Sequence, residues 1–155
     1  MSKPTTMKFE ELIQQISEQF TDAWNRWDMD EMMRHLCPNV ILKSPNVSLI
    51  YPDNVNNTLE GKEVVRAYWM ALYLKNGPFK VRQLSFRKEG TQIFTENHIL
   101  GTQMVISETF ILNEYGKIKF LEYSYHIDEL IKPTTSINFL RSTKDALMEM
   151  MRSLF

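Results

Sequence analysis

One cysteine, five glycines and no block of like charge set the first limits on this chain of 155 residues. A single thiol excludes a disulfide scaffold. The length makes a staple unnecessary, because a chain of this size buries about two-thirds of its unfolded surface. Cys37 is therefore read as a small hydrophobe of the core, in a reducing compartment. With 18 basic side chains against 19 acidic ones and a formal net charge of −1, the chain lacks the footprint of a nucleic-acid binder or a polybasic membrane tether. Lys43, Arg66, Arg82 and Arg87 stand scattered among acids and read as solvated surface. No stretch approaches the ~20 uninterrupted apolar residues of a membrane span, and residues 1–11 lack the apolar centre of a secretory signal. The expectation is a cytoplasmic protein with neither nucleic acid nor membrane among its partners. The glycosylation sequons at Asn46 and Asn56 are then idle. Metal-ligand spacings of His or Cys are missing, as are phosphate-cradling glycine motifs, so no metal, nucleotide or other cofactor is expected.

What the chain has is periodicity. Phe9, Leu12, Ile13, Ile16, Phe20, Ala23, Trp24 and Trp27 recur at helical spacing and predict an amphipathic helix over 8–27. Asp28 reads as the cap of a short second helix ending near Cys37-Pro38. Val40-Ile41-Leu42 reads as a strand and 45–60, with its prolines and asparagines, as an irregular loop. Val64, Val65, Tyr68, Trp69, Leu72 and Tyr73 predict a third helix over 61–75, stopped at Asn76-Gly77-Pro78. Residues 79–127 are β-branched and aromatic, and turns around Gly90, Gly101 and Gly116 divide them into four strands of an antiparallel meander. Ile137, Leu140, Leu147, Met148, Met151 and Leu154 predict a closing helix over about 136–155. Helices segregated to one face of a sheet make this a single α+β domain spanning 1–155, with its core in 8–128.

Counting outward from the turns divides the strands into two faces. If Gly101-Thr102 is a two-residue turn, Asn97 faces Ile106 and Thr95 faces Glu108. If Asn113–Gly116 is a four-residue turn, Leu112 faces Lys117, Glu108 faces Leu121 and Ile106 faces Tyr123. One face then carries Ile93, Thr95, Asn97, Ile106, Glu108, Phe110, Leu121, Tyr123 and Tyr125. It is apolar and aromatic and should lie against the helices. The opposite, mixed face carries Glu96, Val105, Ser107, Thr109, Glu122 and Ser124. His98 and His126 also fall there, which assigns them to the surface or a dimer interface; a one-residue slip would turn them inward. His35 reads as a packing or solvent residue. Glu108 is the odd member of the apolar face, since a carboxylate in such surroundings has its charged form desolvated and stays protonated to higher pH.

The segments Ala23–Asp30, Leu36–Leu42, Leu59–Val65 and Asn113–Ile118, in this order and spacing, resemble the nuclear transport factor 2-like superfamily in its SnoaL-like and ketosteroid-isomerase-like branch. The resemblance covers about residues 8–128. It implies a cone of strongly curved antiparallel sheet wrapped round three helices, a pocket in the cone, and a homodimer formed through the outer face of the sheet. It places Glu108 where that branch carries a neutral acid that helps a tyrosine bind an oxyanion. It places Ser44 where the branch carries a general-base aspartate, and Phe20 where it carries the oxyanion-hole tyrosine. Serine is too weak a base and phenylalanine donates nothing, so steroid isomerisation is not implied.

Two readings follow. In the first, the cone binds a small hydrophobic carbonyl-containing molecule and performs isomerase-, cyclase- or hydrolase-type proton transfer without a cofactor, with Glu108, Tyr123 and Tyr125 as the catalytic set. Phe20, Trp24, Ser44, Tyr68, Trp69, Asn97, Phe110 and Leu121 would contact the ligand, the aromatic ones supplying flat apolar walls. In the second, the same fold is a binding or association module without turnover. Core packing alone would also account for Trp24, Trp27, Tyr68, Trp69 and Tyr73.

Overall fold

A computed structural model describes residues 6–131, with side chains from residue 11 onward; the closing helix expected over 136–155 lies outside the described residues. Helix α1 (Thr6–Arg26) buries Ile13, Ile16, Phe20 and Ala23 along one stripe. It ends in a crossed pair of backbone bonds, from Asp28 N to the Ala23 carbonyl (2.8 Å) and from Trp27 N to the Trp24 carbonyl (2.9 Å). This Schellman closure puts its C′ residue in the left-handed region, where glycine is usual. Here the residue is Trp27, at φ 53°. Asp28 then caps α2 (Met29–Arg34), accepting from Glu31 N at 3.1 Å, so one helix passes into the next with no spare residue.

The second helix stops at Arg34 rather than at Pro38, and Leu36, Cys37 and Pro38 open strand β1 (Leu36–Lys43). Proline is tolerated there because the ladder to the neighbouring strand is irregular between Leu36 and Ile41. The stretch 45–60 is more ordered than its composition predicts. It holds a one-turn helix α3 (Val47–Ile50) and strand β2 (Thr58–Glu60), antiparallel to β1. Its asparagines supply the hydrogen bonds that make this possible: the Asn54 amide bonds the Thr58 backbone in both directions, and Asn57 Oδ1 accepts from Ser48 N. Helix α4 (Lys62–Asn76), bracketed by Gly61 and Gly77, buries Val65, Tyr68 and Trp69.

Strands β3 (Val81–Glu89), β4 (Gln92–Ile99), β5 (Met104–Leu112) and β6 (Ile118–Ile127) complete a curved sheet in the order β2-β1-β6-β5-β4-β3. The expectation of a purely antiparallel sheet is corrected in one pair, since β1 runs parallel to β6. Between β4 and β5 the expected register holds, with Thr95 facing Glu108 and Asn97 facing Ile106. Between β5 and β6 it slips by two: Glu108 faces Tyr123 and Ile106 faces Tyr125. Two single-residue effects add up to this. The turn is closed one residue further in, with Asn113 N bonded to the Lys117 carbonyl and Asn113 Oδ1 accepting from both Tyr115 N and Lys117 N at 2.9 Å. A bulge follows, because Leu112 faces Ile118 while Ile111 faces Phe120. An even slip leaves every side chain on its expected face. At the tip, Gly116 (φ 77°) comes so close to α1 that a Cβ would meet Leu12 Cδ2 at 3.1 Å. The helices and the inner face of the sheet enclose a main cluster around Phe20, Trp69, Phe110 and Leu121, and a smaller one of Val81, Ile99, Met104 and Ile106. Trp24 and Tyr123 pack against both.

Candidate functional site

Between these two clusters lies an apolar slot. Its sheet side is made by Ile99, Ile106, Glu108, Tyr123 and Tyr125, and its helix side by Phe20, Trp24, Trp69, Leu72 and Tyr73. The end of β1 adds Ser44, and the turn after it Asn46. Asn25 clamps the start of β3 to α1 by exchanging two hydrogen bonds with the Val81 backbone (2.8 and 2.9 Å), which holds Phe79 and Val81 against the slot. Trp24 meets Trp69 edge-on at 5.8 Å, and Trp27 stacks on Tyr73 with centroids 4.6 Å apart. These rings fill most of the space. About 40 Å³ remains accessible to the centre of a water molecule, room for roughly three waters.

Among the described residues, Glu108 is the only one lining the slot, tyrosines apart, with an ionisable side chain. Burial pushes its carboxyl up from 4.5 to about 8, against the opposing effect of the Asn97 amide. Asn97 Nδ2 donates to Glu108 Oε1 at 3.0 Å and to Thr95 Oγ1 at 3.2 Å. Burial likewise raises the phenols of Tyr123, Tyr125 and Tyr68, so all three remain hydroxyl donors at neutral pH. Asn46 Nδ2 donates to the Tyr125 hydroxyl at 3.0 Å, and Ser44 Oγ accepts from Asn46 N at 3.3 Å. Four slot residues keep a buried polar atom with no hydrogen-bond partner: Trp24 Nε1, Asn46 Oδ1, Asn76 Nδ2 and the Tyr123 hydroxyl.

Of the residues singled out from the sequence, Glu108, Tyr123, Tyr125, Phe20, Trp24, Ser44, Tyr68 and Trp69 line the slot together. Three do not. Asn97 sits fully buried behind Glu108, its amide turned to Glu108 and Thr95. Phe110 and Leu121 face each other across β5 and β6 in the closed part of the core, where Phe20 covers Phe110 at 5.4 Å. Asn46, Asn76 and Phe79 join the slot without having been expected from the sequence. Asn46 had no periodic signal, since it stands in the turn after β1 at the cap of α3, where period-2 counting does not apply. Of the histidines, His126 is exposed, but His98, expected at the surface or a dimer interface, is 5% exposed. Its Nε2 donates to the Thr102 carbonyl at 2.6 Å and ties down the β4–β5 turn. His35 is buried against Phe20. Among the described residues no cluster of three His, Cys, Asp or Glu side chains is arranged to hold a metal ion, and no helix is long and apolar enough to cross a membrane.

No protein-family model matches the sequence, and no curated protein matches it. Solved structures do. A SnoaL-like protein of unknown function from Burkholderia thailandensis is similar with a TM-score of 0.66 at 22% identity, over 79% of this chain and 99% of that one. The chain has the SnoaL-like, NTF2-like fold. The same NTF2-like fold occurs in a candidate polyketide cyclase from Sinorhizobium meliloti (TM-score 0.59, 15% identity, 71% of this chain and 94% of that one). It occurs also in TerC, crystallised with polyporic acid (TM-score 0.59, 12% identity, 77% of this chain and 93% of that one).

Proposed function

We propose that the slot binds a small hydrophobic carbonyl compound and that Glu108 exchanges a proton with it, in cofactor-free chemistry of the isomerase or cyclase type. The observation that carries this reading is a lone carboxyl in a slot walled by aromatic rings, sharing that slot with Tyr123 and Tyr125. With its pKa near 8, Glu108 is populated in both forms around neutrality, the condition in which one group serves as acid and as base. Ionised, it takes a proton from the carbon next to the carbonyl, and the electron pair moves onto the carbonyl oxygen. The tyrosine hydroxyls donate to that oxygen as it gains charge. The proton then returns from Glu108 to the same or a neighbouring carbon. This assigns to Glu108 the base function for which Ser44 is unsuited. A polyketide cyclase candidate and a protein crystallised with polyporic acid share the fold, which supports carbonyl-rich ligands.

The test is hydrogen exchange into 2-tetralone in heavy water, followed by proton NMR. The wild type is expected to speed exchange next to the carbonyl, and Glu108→Gln to lose at least tenfold of that. If the ketone binds but exchanges no faster than in buffer, the second reading stands, a binding module without turnover. Phe20 and Ser44, which line the slot but supply neither a phenol nor a carboxylate base, favour that alternative. We further propose that two copies pair through the outer face of the sheet, where Phe94, Ile111 and Phe120 are half-buried.

A further inference from the structure

Glu108 is held at one carboxyl oxygen and open at the other. Oε1 accepts from Asn97 Nδ2 at 3.0 Å, and Asn97 is fully buried behind the acid, away from the slot. Oε2 has no hydrogen-bond partner among the described residues, yet it is not one of the partnerless polar atoms sealed from solvent. The accessible surface it keeps opens on the slot that Glu108 lines.

The hold on Oε1 is itself braced. Asn97 spends its second N–H on Thr95 Oγ1 at 3.2 Å, while its own oxygen, Oδ1, is left without a partner. The amide therefore meets this corner of the core with both donors. Thr95 and Asn97 stand two residues apart on β4, which puts them on one face, and Thr95 faces Glu108 across the ladder to β5. Strand pairing thus brings all three side chains together. Tyr123 faces Glu108 from β6, and burial keeps it and Tyr125 neutral, so among the described slot residues no charge competes for the carboxyl. A carboxyl oxygen that accepts from an amide offers its lone pair there, which leaves the O–H of the neutral acid to the other oxygen. On ionisation the same bond becomes charge-assisted and tightens.

We infer that Asn97 is the positioning residue of the site: its amide keeps Oε1 an acceptor in both states of Glu108 and so confines the exchanging proton to Oε2, on the slot side. This rests on the reading that Glu108 exchanges a proton with the ligand, and it names the oxygen that does so and the side chain that selects it. Without the amide, either oxygen carries the proton and the carboxyl is free to turn.

The experiment has two parts. In the ligand-free full chain, NMR follows the Glu108 carboxyl carbon and the Asn97 side-chain amide protons from pH 5 to pH 10. One amide proton is expected to shift with the same midpoint as the carbon, and Asn97→Leu to move that midpoint up by about one unit, a tenfold weaker acid. The second part is deuterium exchange into 2-tetralone at pH 7. Asn97→Leu is expected to lose about tenfold in kcat with KM held within about twofold, since the ketone does not touch Asn97. Amide protons that do not sense the carboxyl, or a midpoint unmoved by Asn97→Leu, would overturn the positioning role whether or not the ketone exchanges. Coupled titration with no exchange even in the wild type would keep the hold on Oε1 and overturn the proton transfer it serves.

Discussion

Glu108 shows how far one side chain can depart from its sequence neighbours. The folded chain holds its proton up to about pH 8, whereas the unfolded chain releases it near 4.5. Between those values the folded state binds more protons, so unfolding releases one and stability falls as pH rises. The contribution is complete below about pH 4.5 and lost once pH passes 8. Glu108→Gln, which cannot ionise, is therefore expected to gain on the wild type steadily from pH 5 to pH 8 and to hold that margin above. Urea unfolding of both proteins at pH 5, 7 and 9 measures it, and a constant difference across the three would contradict the burial described for this carboxyl. The residue itself is legible in the sequence, because a period-2 count leaves one acid among aromatic neighbours. Its partner is not. Whether Leu121 or Tyr123 faces it depends on the Asn113 side chain closing the turn early and on one bulge, and neither is coded by hydrophobic pattern.

At the scale of elements, the end of α1 is where local propensity and tertiary structure disagree most. A bulky aromatic at φ 53° is strained by ~1–3 kcal/mol, and such strain persists only where packing over-determines it. Here the packing is the stack of Trp27 on Tyr73 and its edge contact with Trp24. Removing the ring loses that packing whatever replaces it, but only glycine also relieves the backbone. Trp27→Gly should therefore be more stable than Trp27→Ala by about 1 kcal/mol, the reverse of the order expected inside a helix. Chemical denaturation of the two variants decides it. The helices and the four-strand meander can be read from periodicity because each buries one face. Strand β2 cannot, since its three residues carry no periodic signal and are held by the edge of β1 and by asparagine side chains.

For the whole molecule, the α+β class and the two faces of the sheet follow from turn positions, while the parallel β1–β6 contact cannot be counted from any turn. The slot as a shared space is likewise beyond pattern reading, which names its walls but also includes Phe110 and Leu121 from the sealed core. The outer face supplies the prediction at this scale. Phe94, Ile111 and Phe120 are contiguous through the pairings Phe94–Thr109 and Ile111–Phe120. Sedimentation equilibrium should give twice the monomer mass, and Phe120→Arg should return the chain to the monomer without moving its unfolding midpoint extrapolated to low concentration. A monomeric wild type at about 100 μM, far above the Kd of a stable pair, would remove the dimer.

The parallel contact between β1 and β6 also dictates when the slot comes into being. Ser44 and Asn46 are made early, Tyr123 and Tyr125 near the end of the described chain, and Lys43 meets Glu122 only across most of its length. Closing so long a loop carries an entropic cost, and contacts of such separation form late and slowly. The slot exists only once β6 stands beside β1, because its walls come from both strands. On the proposed function, ligand capture therefore reports the docking of β6 beside β1, and a small molecule in the slot would stabilise that contact by mass action.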